Sequence, residues 1–129
     1  MACLRDRHTG REYPLAKRTT VVGRDPGCDI VLTSRFVSRH HAQITKGFFG
    51  YYIEDLHSST GTFVNNQRLQ KKTRVRNGDV IKIARVRDTD HGKPTKGPAI
   101  GETTKMTAET AAYIDAEGFR VGAEFVFVK

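Results

Sequence analysis

This sequence predicts an all-β fold, two sheets packed face to face as a sandwich, and three observations carry that prediction. Short runs rich in Val, Ile, Thr and aromatic residues recur along the first two thirds of the chain. Turn chemistry separates them, with Asp25-Pro26-Gly27, Asn65-Asn66 and Asn77-Gly78 as the clearest signals. Several runs alternate apolar and polar side chains, the period of a strand with one buried face. Many short strands at such spacing indicate a sandwich.

Residues 3–7 and 12–15 are read as strands flanking the polar turn His8-Thr9-Gly10-Arg11. Residues 19–22 are β-branched and stop at Gly23, and a short strand at 29–32 follows the Asp25-Pro26-Gly27 turn. Residues 41–45 alternate with Ala42 and Ile44 on one face, and residues 51–56 alternate with Tyr51 and Ile53. Residues 62–64 run into Asn65-Asn66, and residues 67–69 return. Residues 73–75 lead to Asn77-Gly78, read as a two-residue hairpin turn into a strand at 80–86. Residues 87–98, with Gly92, Pro94, Gly97 and Pro98, read as loop. Residues 107–118 read as a short helix with Thr107 as N-cap, Glu109 in the first turn and Gly118 beyond its end. Residues 125–128 form the last strand.

At 129 residues the expectation is one domain over 1–129, with an insert at about 87–120. The chain is 37% hydrophobic and 28% charged, which fits a globular protein rather than a disordered one. No apolar run approaches the ~18 residues of a spanning helix. Charge follows Met1 within a few residues, so no signal peptide is read and a cytoplasmic location is expected, or a nuclear one in a eukaryote. Cys3 and Cys28 have no metal-ligand spacing and are expected as free thiols. The net charge of +8 suits anionic partners. Part of it lies in Arg68, Lys71, Lys72, Arg74, Arg76, Lys82, Arg85 and Arg87, against the single acid Asp79, and these are read as solvated strand faces.

Four fragments occur in order: Gly23-Arg24, Ser38-Arg39-His40-His41, Ser58-Ser59-Thr60-Gly61-Thr62 and Val64-Asn65-Asn66. Their order resembles the forkhead-associated (FHA) domain, a family of phosphothreonine-binding modules whose pattern reads Gly-Arg, Ser-x-x-His, Ser-x-Asn-Gly-Thr and Val-Asn-Gly. The resemblance covers residues 21–83 well and 125–128 weakly. It implies a β-sandwich of the FHA type carrying a phosphate pocket on loops at one end, with a loop-plus-short-helix insert before the last strand.

A phosphothreonine brings about −1.5 to −2 charge and several strong acceptors. A guanidinium answers these with paired N–H donors in a fixed fork. The resemblance makes Arg24 that ligand and gives Ser38, Arg39 and Ser59 further phosphate contacts. Thr60 stands at the peptide-contacting position, where the family has Asn; its shorter side chain and single hydroxyl weaken that role. Gly23, His41, Ser58, Gly61, Thr62 and Asn65 are implied to shape the pocket. Asn66 replaces the family Gly and Ala84 stands where Gly is common.

Ser38, His41 and Asp55 also suggest a nucleophile, base and orienter. No oxyanion motif or Gly-x-Ser-x-Gly elbow accompanies them, so no enzyme activity is expected. Neither His-Glu-x-x-His nor Cys-x-x-Cys spacing occurs, so no metal is expected, and no cofactor. The expected function is recognition of phosphothreonine-containing proteins in Ser/Thr-kinase signalling, with a monomer favoured. Specific nucleic-acid and membrane partners are not expected. The alternative is an FHA-fold interaction or oligomerisation module that acts without phosphate. Counting hairpins places the insert at the phosphate-binding end.

Overall fold

The structure is a computed structural model that describes residues 2–87, 113–115 and 117–129. Its described residues form twelve strands. These are β1 (Cys3–Asp6), β2 (Glu12–Pro14), β3 (Thr19–Gly23), β4 (Ile30–Val31), β5 (Ala42–Lys46) and β6 (Tyr51–Asp55). They continue with β7 (Thr62–Val64), β8 (Gln67–Arg68), β9 (Thr73–Val75), β10 (Val80–Arg87), β11 (Tyr113–Ile114) and β12 (Phe119–Val128). One sheet runs β2-β1-β12-β10-β7-β8 with β11 on β12, and the other runs β4-β3-β5-β6-β9. Among the described strands only β3 and β4 pair in parallel. The sandwich is therefore as the sequence predicts.

The core lies between the sheets. Leu4, Ile81, Ile83, Phe125 and Phe127 face Val22, Ile44 and Ile53, all at most 2% exposed. Tyr13 meets Phe125 edge-on at 5.9 Å, and Tyr51 tilts against Phe127 at 5.4 Å. Burying a phenylalanine of this kind contributes on the order of 3–5 kcal/mol relative to alanine. No helix among the described residues is long and apolar enough to cross a membrane.

Asn65-Asn66 is a true hairpin turn, with φ of 51° and 68° at the two residues. Both lie in the left-handed region that Asn tolerates and that matches strand twist. Asn77-Gly78 is not a hairpin. β9 pairs with β6 in one sheet while β10 enters the other, so the turn carries the chain across the sandwich. Gly78 N donates to Phe127 O at 2.8 Å and Asn77 Oδ1 accepts from Lys129 N at 2.8 Å, tying this crossing to the end of β12.

The helix expected at 107–118 is not observed. Residues 88–112 and 116 lie outside the described residues, but Tyr113–Ile114 is a strand paired with Val121 and Arg120, and beyond it Asp115 N donates to Phe119 O at 2.8 Å and Gly118 N to Asp115 O at 2.9 Å. β12 begins at Phe119, well before the expected 125. Local helix propensity yields here to tertiary partners.

Those partners are charged. Lys82 Nζ and Arg85 Nε donate to Asp115 Oδ2 at 3.0 and 2.9 Å. Asp115 Oδ1 accepts from the backbone N–H of Glu117 and of Phe119, both at 3.0 Å. Arg85 also bonds Glu117 and lies 3.9 Å from the Phe119 ring centroid. Lys82 and Arg85 are thus not solvated faces of a basic strip. Strict strand alternation would send residues three apart to opposite faces. Ala84, which lies between them at φ 72°, departs from the extended backbone that such alternation assumes.

Burial alone would raise the Asp115 pKa, but the Phe119 N–H, Arg85 and Lys82 outweigh it and hold it down to about 2 against an ordinary 3.8. The carboxyl titrates lower when folded, so its contribution is complete above pH 3.8 and drains as pH falls through 2. Urea unfolding of the native protein should lose about 2 kcal/mol from this group across that acid window. Asp115→Ala should cost about 3–5 kcal/mol at neutral pH, because it leaves Lys82 without its counter-charge and leaves Arg85 with Glu117 alone. It should also flatten the acid dependence. An Asp115→Ala protein as stable as the native one would refute this account.

Candidate functional site

The site begins with a close backbone approach. A Cβ on Gly23 would lie 2.1 Å from Arg39 O, so only glycine lets the end of β3 meet the loop before β5. Arg24 N donates to Ser38 O at 3.0 Å and Asp25 N to Arg39 O at 3.1 Å. These two bonds set Arg24 beside Ser38. Arg24 Nε donates to Val37 O at 3.0 Å, which fixes the guanidinium. Its two terminal nitrogens have no partner among the described residues.

His41 is fully buried. Its Nδ1 accepts from Ser38 N at 3.0 Å, so Nε2 carries the proton and donates to Gly61 O at 2.7 Å. One ring thereby joins the loop before β5 to the loop after β6. Burial lowers the His41 pKa, more strongly than the Gly61 carbonyl and the Asp55 charge raise it. The ring is neutral.

Asp55 organises the second loop. Its carboxylate accepts from Ser58 N at 2.9 Å, Ser58 Oγ at 2.5 Å and Thr62 Oγ1 at 2.7 Å. Ser58 Oγ accepts in turn from Gly61 N at 2.9 Å. Burial pushes the Asp55 carboxyl up, but the bonds from Ser58 and Thr62 prevail and hold it below its ordinary value. At Gly61 φ is +88°, and a Cβ there would lie 2.9 Å from Arg68 Nε. Thr62 is fully buried on the same carboxylate.

Ser38 Oγ accepts from Ser59 N at 3.3 Å, so its own O–H is left for a ligand. Ser59 and Arg39 are exposed beside it, with Arg39 4.0 Å from Asp25. Thr60 is occupied differently: its Oγ1 donates to Phe36 O at 2.6 Å, latching the two loops. Arg24, Ser38, Arg39 and Ser59 are brought together on one rim, supported from within by Gly23, His41, Ser58, Gly61 and Thr62. Asn65 is not brought there. It sits at the opposite end of β7, where it accepts from Val80 N at 3.0 Å and donates to Asp79 at 3.1 Å.

The sequence reading did not assign a pocket role to Asp55, Phe36 or Val37. Asp55 had a signal, because an Asp followed three residues later by Ser favours a side-chain-capped turn. The carbonyls of Phe36 and Val37 had none, since any residue supplies one. β10 ends at this rim, with Arg85 N donating to Thr60 O at 3.3 Å, so the chain leaves β10 at the end that carries these loops.

Comparison with known proteins agrees with this geometry. The family described as FHA domain matches residues 20–84, half of the chain. The transcriptional regulatory protein EmbR of Mycobacterium tuberculosis is 43% identical over 83 residues, which is 64% of this chain and 21% of EmbR. The oxoglutarate dehydrogenase inhibitor of Corynebacterium jeikeium is 35% identical over 80 residues, 62% of this chain and 55% of that protein. The chain thus spans about a fifth of one relative and about half of the other. The structure of M. tuberculosis EmbR in complex with a low affinity phosphopeptide superposes with TM-score 0.62 at 44% identity, over 64% of this chain and 22% of that one. The FHA domain of the Chlamydia trachomatis CT664 protein shares the fold over 99% of this chain and 96% of its own, with TM-score 0.66 and 22% identity.

The neutral His41 ring ties the loops to solution pH. Its folded pKa lies below the ordinary 6.5, so its contribution is complete above pH 6.5 and is lost as pH falls below that value. Denaturation midpoints should drop on acidification from about pH 7 towards pH 5. His41→Gln should be less stable at pH 7, with a shallower slope across that range. A slope equal to that of the native protein would show that His41 does not carry it.

Proposed function

This chain belongs to the FHA-domain family, and on that premise we propose that it is a non-catalytic module, one domain over residues 1–129, that binds phosphothreonine-containing proteins in Ser/Thr-kinase signalling. The observation that carries this reading is the rim at Arg24. Its guanidinium is fixed through Nε yet leaves its terminal nitrogens unpartnered, and a Ser38 hydroxyl with a hydrogen to give stands beside it. A phosphate dianion accepts such donors, and the fork of Arg24 gives two in one plane. Arg39 and Ser59 supply further charge and hydroxyl at the same rim.

The phosphopeptide named in the EmbR structure supports this reading, because that relative is 44% identical over the 64% of this chain that it covers. Thr60 takes part in peptide binding through loop position rather than through a free hydroxyl, because that hydroxyl already holds Phe36 O. The phosphate itself therefore contributes most of the recognition. Membership of a non-catalytic family also argues against reading Ser38, His41 and Asp55 as a triad. Here His41 Nδ1 faces the Ser38 backbone and not its hydroxyl, so the ring has no route to the serine proton.

Titration calorimetry with a phosphothreonine peptide library and its unmodified counterparts tests the reading. The native protein should prefer the phosphorylated forms, and Arg24→Ala should lose about 2–5 kcal/mol of binding, as for one partner of a desolvated ion pair. Equal binding by Arg24→Ala would refute the pocket assignment. Binding that ignores phosphorylation would favour a phosphate-independent interaction module.

A further inference from the structure

We propose that Asp25, Cys28 and His40 form a binding site for one Zn2+ ion at the turn after β3. A carboxylate oxygen of Asp25, Cys28 Sγ and a ring nitrogen of His40 all lie within 4.8 Å of one another. Zinc bonds of ~2.0–2.3 Å bring ligand atoms somewhat closer than this, and His40, exposed on its loop, has the freedom to swing in. Thiolate, imidazole and carboxylate together are a donor set that suits zinc rather than magnesium or calcium. Three protein ligands leave a fourth tetrahedral position for water.

The fold assembles this set from two segments, which is why no sequence spacing announces it. Asp25 and Cys28 share the turn closed by Cys28 N donating to Asp25 O at 3.0 Å. Asp25 Oδ2 accepts from Gly27 N at 2.8 Å, which orients the carboxylate and leaves Oδ1 without a hydrogen bond among the described residues. His40 arrives from the loop before β5, next to Arg39, whose carbonyl accepts from Asp25 N and from Cys28 Sγ. Gly23 makes room: a Cβ there would lie 3.0 Å from Cys28 Sγ. Arg39 lies 4.0 Å from Asp25 with its side chain 74% exposed, free to turn outward. On binding, the S–H bond of Cys28 breaks, its proton passes to solvent, and the sulfur keeps the electron pair for the S–Zn bond. The thiolate and the Asp25 carboxylate then balance the two charges of the ion. This site does not depend on the phosphopeptide reading.

Cobalt titration under reducing conditions tests the proposal, with Co2+ as the coloured substitute for zinc. The native protein should take up one equivalent, develop a thiolate-to-cobalt charge-transfer band, and lose that band when Zn2+ is added. Cys28→Ser should abolish the band while Cys3→Ser keeps it. His40→Ala should weaken cobalt binding by at least the ~10–100-fold that loss of a mere supporting residue costs at metal sites. Zn2+ should raise the melting temperature of the native protein and not that of Cys28→Ser. If Cys28→Ser fails to fold, His40→Ala and Asp25→Asn decide the matter. Absence of a charge-transfer band, its survival in Cys28→Ser, or unchanged binding in His40→Ala and Asp25→Asn would overturn the proposal.

Discussion

The carbonyl oxygen of Gly61 receives two hydrogen bonds, from His41 Nε2 at 2.7 Å and from Ala84 N at 2.9 Å, and the candidate site depends on that junction. The first bond binds the loop after β6 to the loop before β5. The second binds it to β10 in the opposite sheet. Three segments from two sheets thus converge on one buried acceptor. A buried carbonyl that loses such donors costs about 1–3 kcal/mol, and here the loss would release both loops together. Gly61 qualifies for the place by its left-handed φ, and Asp55 holds it there through Ser58.

The second donor explains a departure that looked minor in the sequence. Ala84 occupies a left-handed conformation that costs a non-glycine residue roughly 1–2 kcal/mol. Its N–H bond to Gly61 O at 2.9 Å offsets part of this cost. The residue thereby supports the pocket loop, and it stands between Lys82 and Arg85, the two cations that meet Asp115. A glycine would adopt the backbone more easily but would give up a fully buried methyl worth about 0.8 kcal/mol. Alanine here is a compromise between strain and packing.

Much of this was legible in the sequence because the relevant rules are local. Alternation around Ala42 and Ile44 placed β5, Asn65-Asn66 announced a left-handed turn, and the four fragments marked the loops. What escaped reading depends on contacts distant in sequence. Asn77-Gly78 has ideal hairpin chemistry, yet β9 and β10 belong to different sheets, and turn residues do not reveal which sheet a strand joins. The helix-like pattern before Gly118 gave way at Tyr113 and Ile114 because Asp115 has buried cations to meet thirty and more residues earlier. Lys82 and Arg85 looked like surface charge because nothing near them in sequence named Asp115. Arg24 and Ser38 were found as residue types, but the Val37 carbonyl that aims Arg24 carries no side-chain signature.

The arrangement of donors also bears on how recognition divides between phosphate and peptide. Arg24 is held through Nε, Ser38 through its oxygen, and Ser59 through its N–H, all before any ligand arrives. Ordering these groups is therefore a cost of folding and not of binding, which favours affinity for a small, highly charged group. Thr60 works the opposite way. Its hydroxyl donates to Phe36 O at 2.6 Å, so the latch that stiffens the rim takes up the hydroxyl that the proposed reading would turn toward a peptide backbone. An asparagine there would have an amide with both donor and acceptor, enough to serve a carbonyl and a ligand at once. With threonine the two tasks compete, and the structure resolves the competition in favour of rigidity. On the proposed reading, discrimination among phosphorylated partners rests on groups outside that latch, such as Arg39, which is exposed on the same rim 4.0 Å from Asp25.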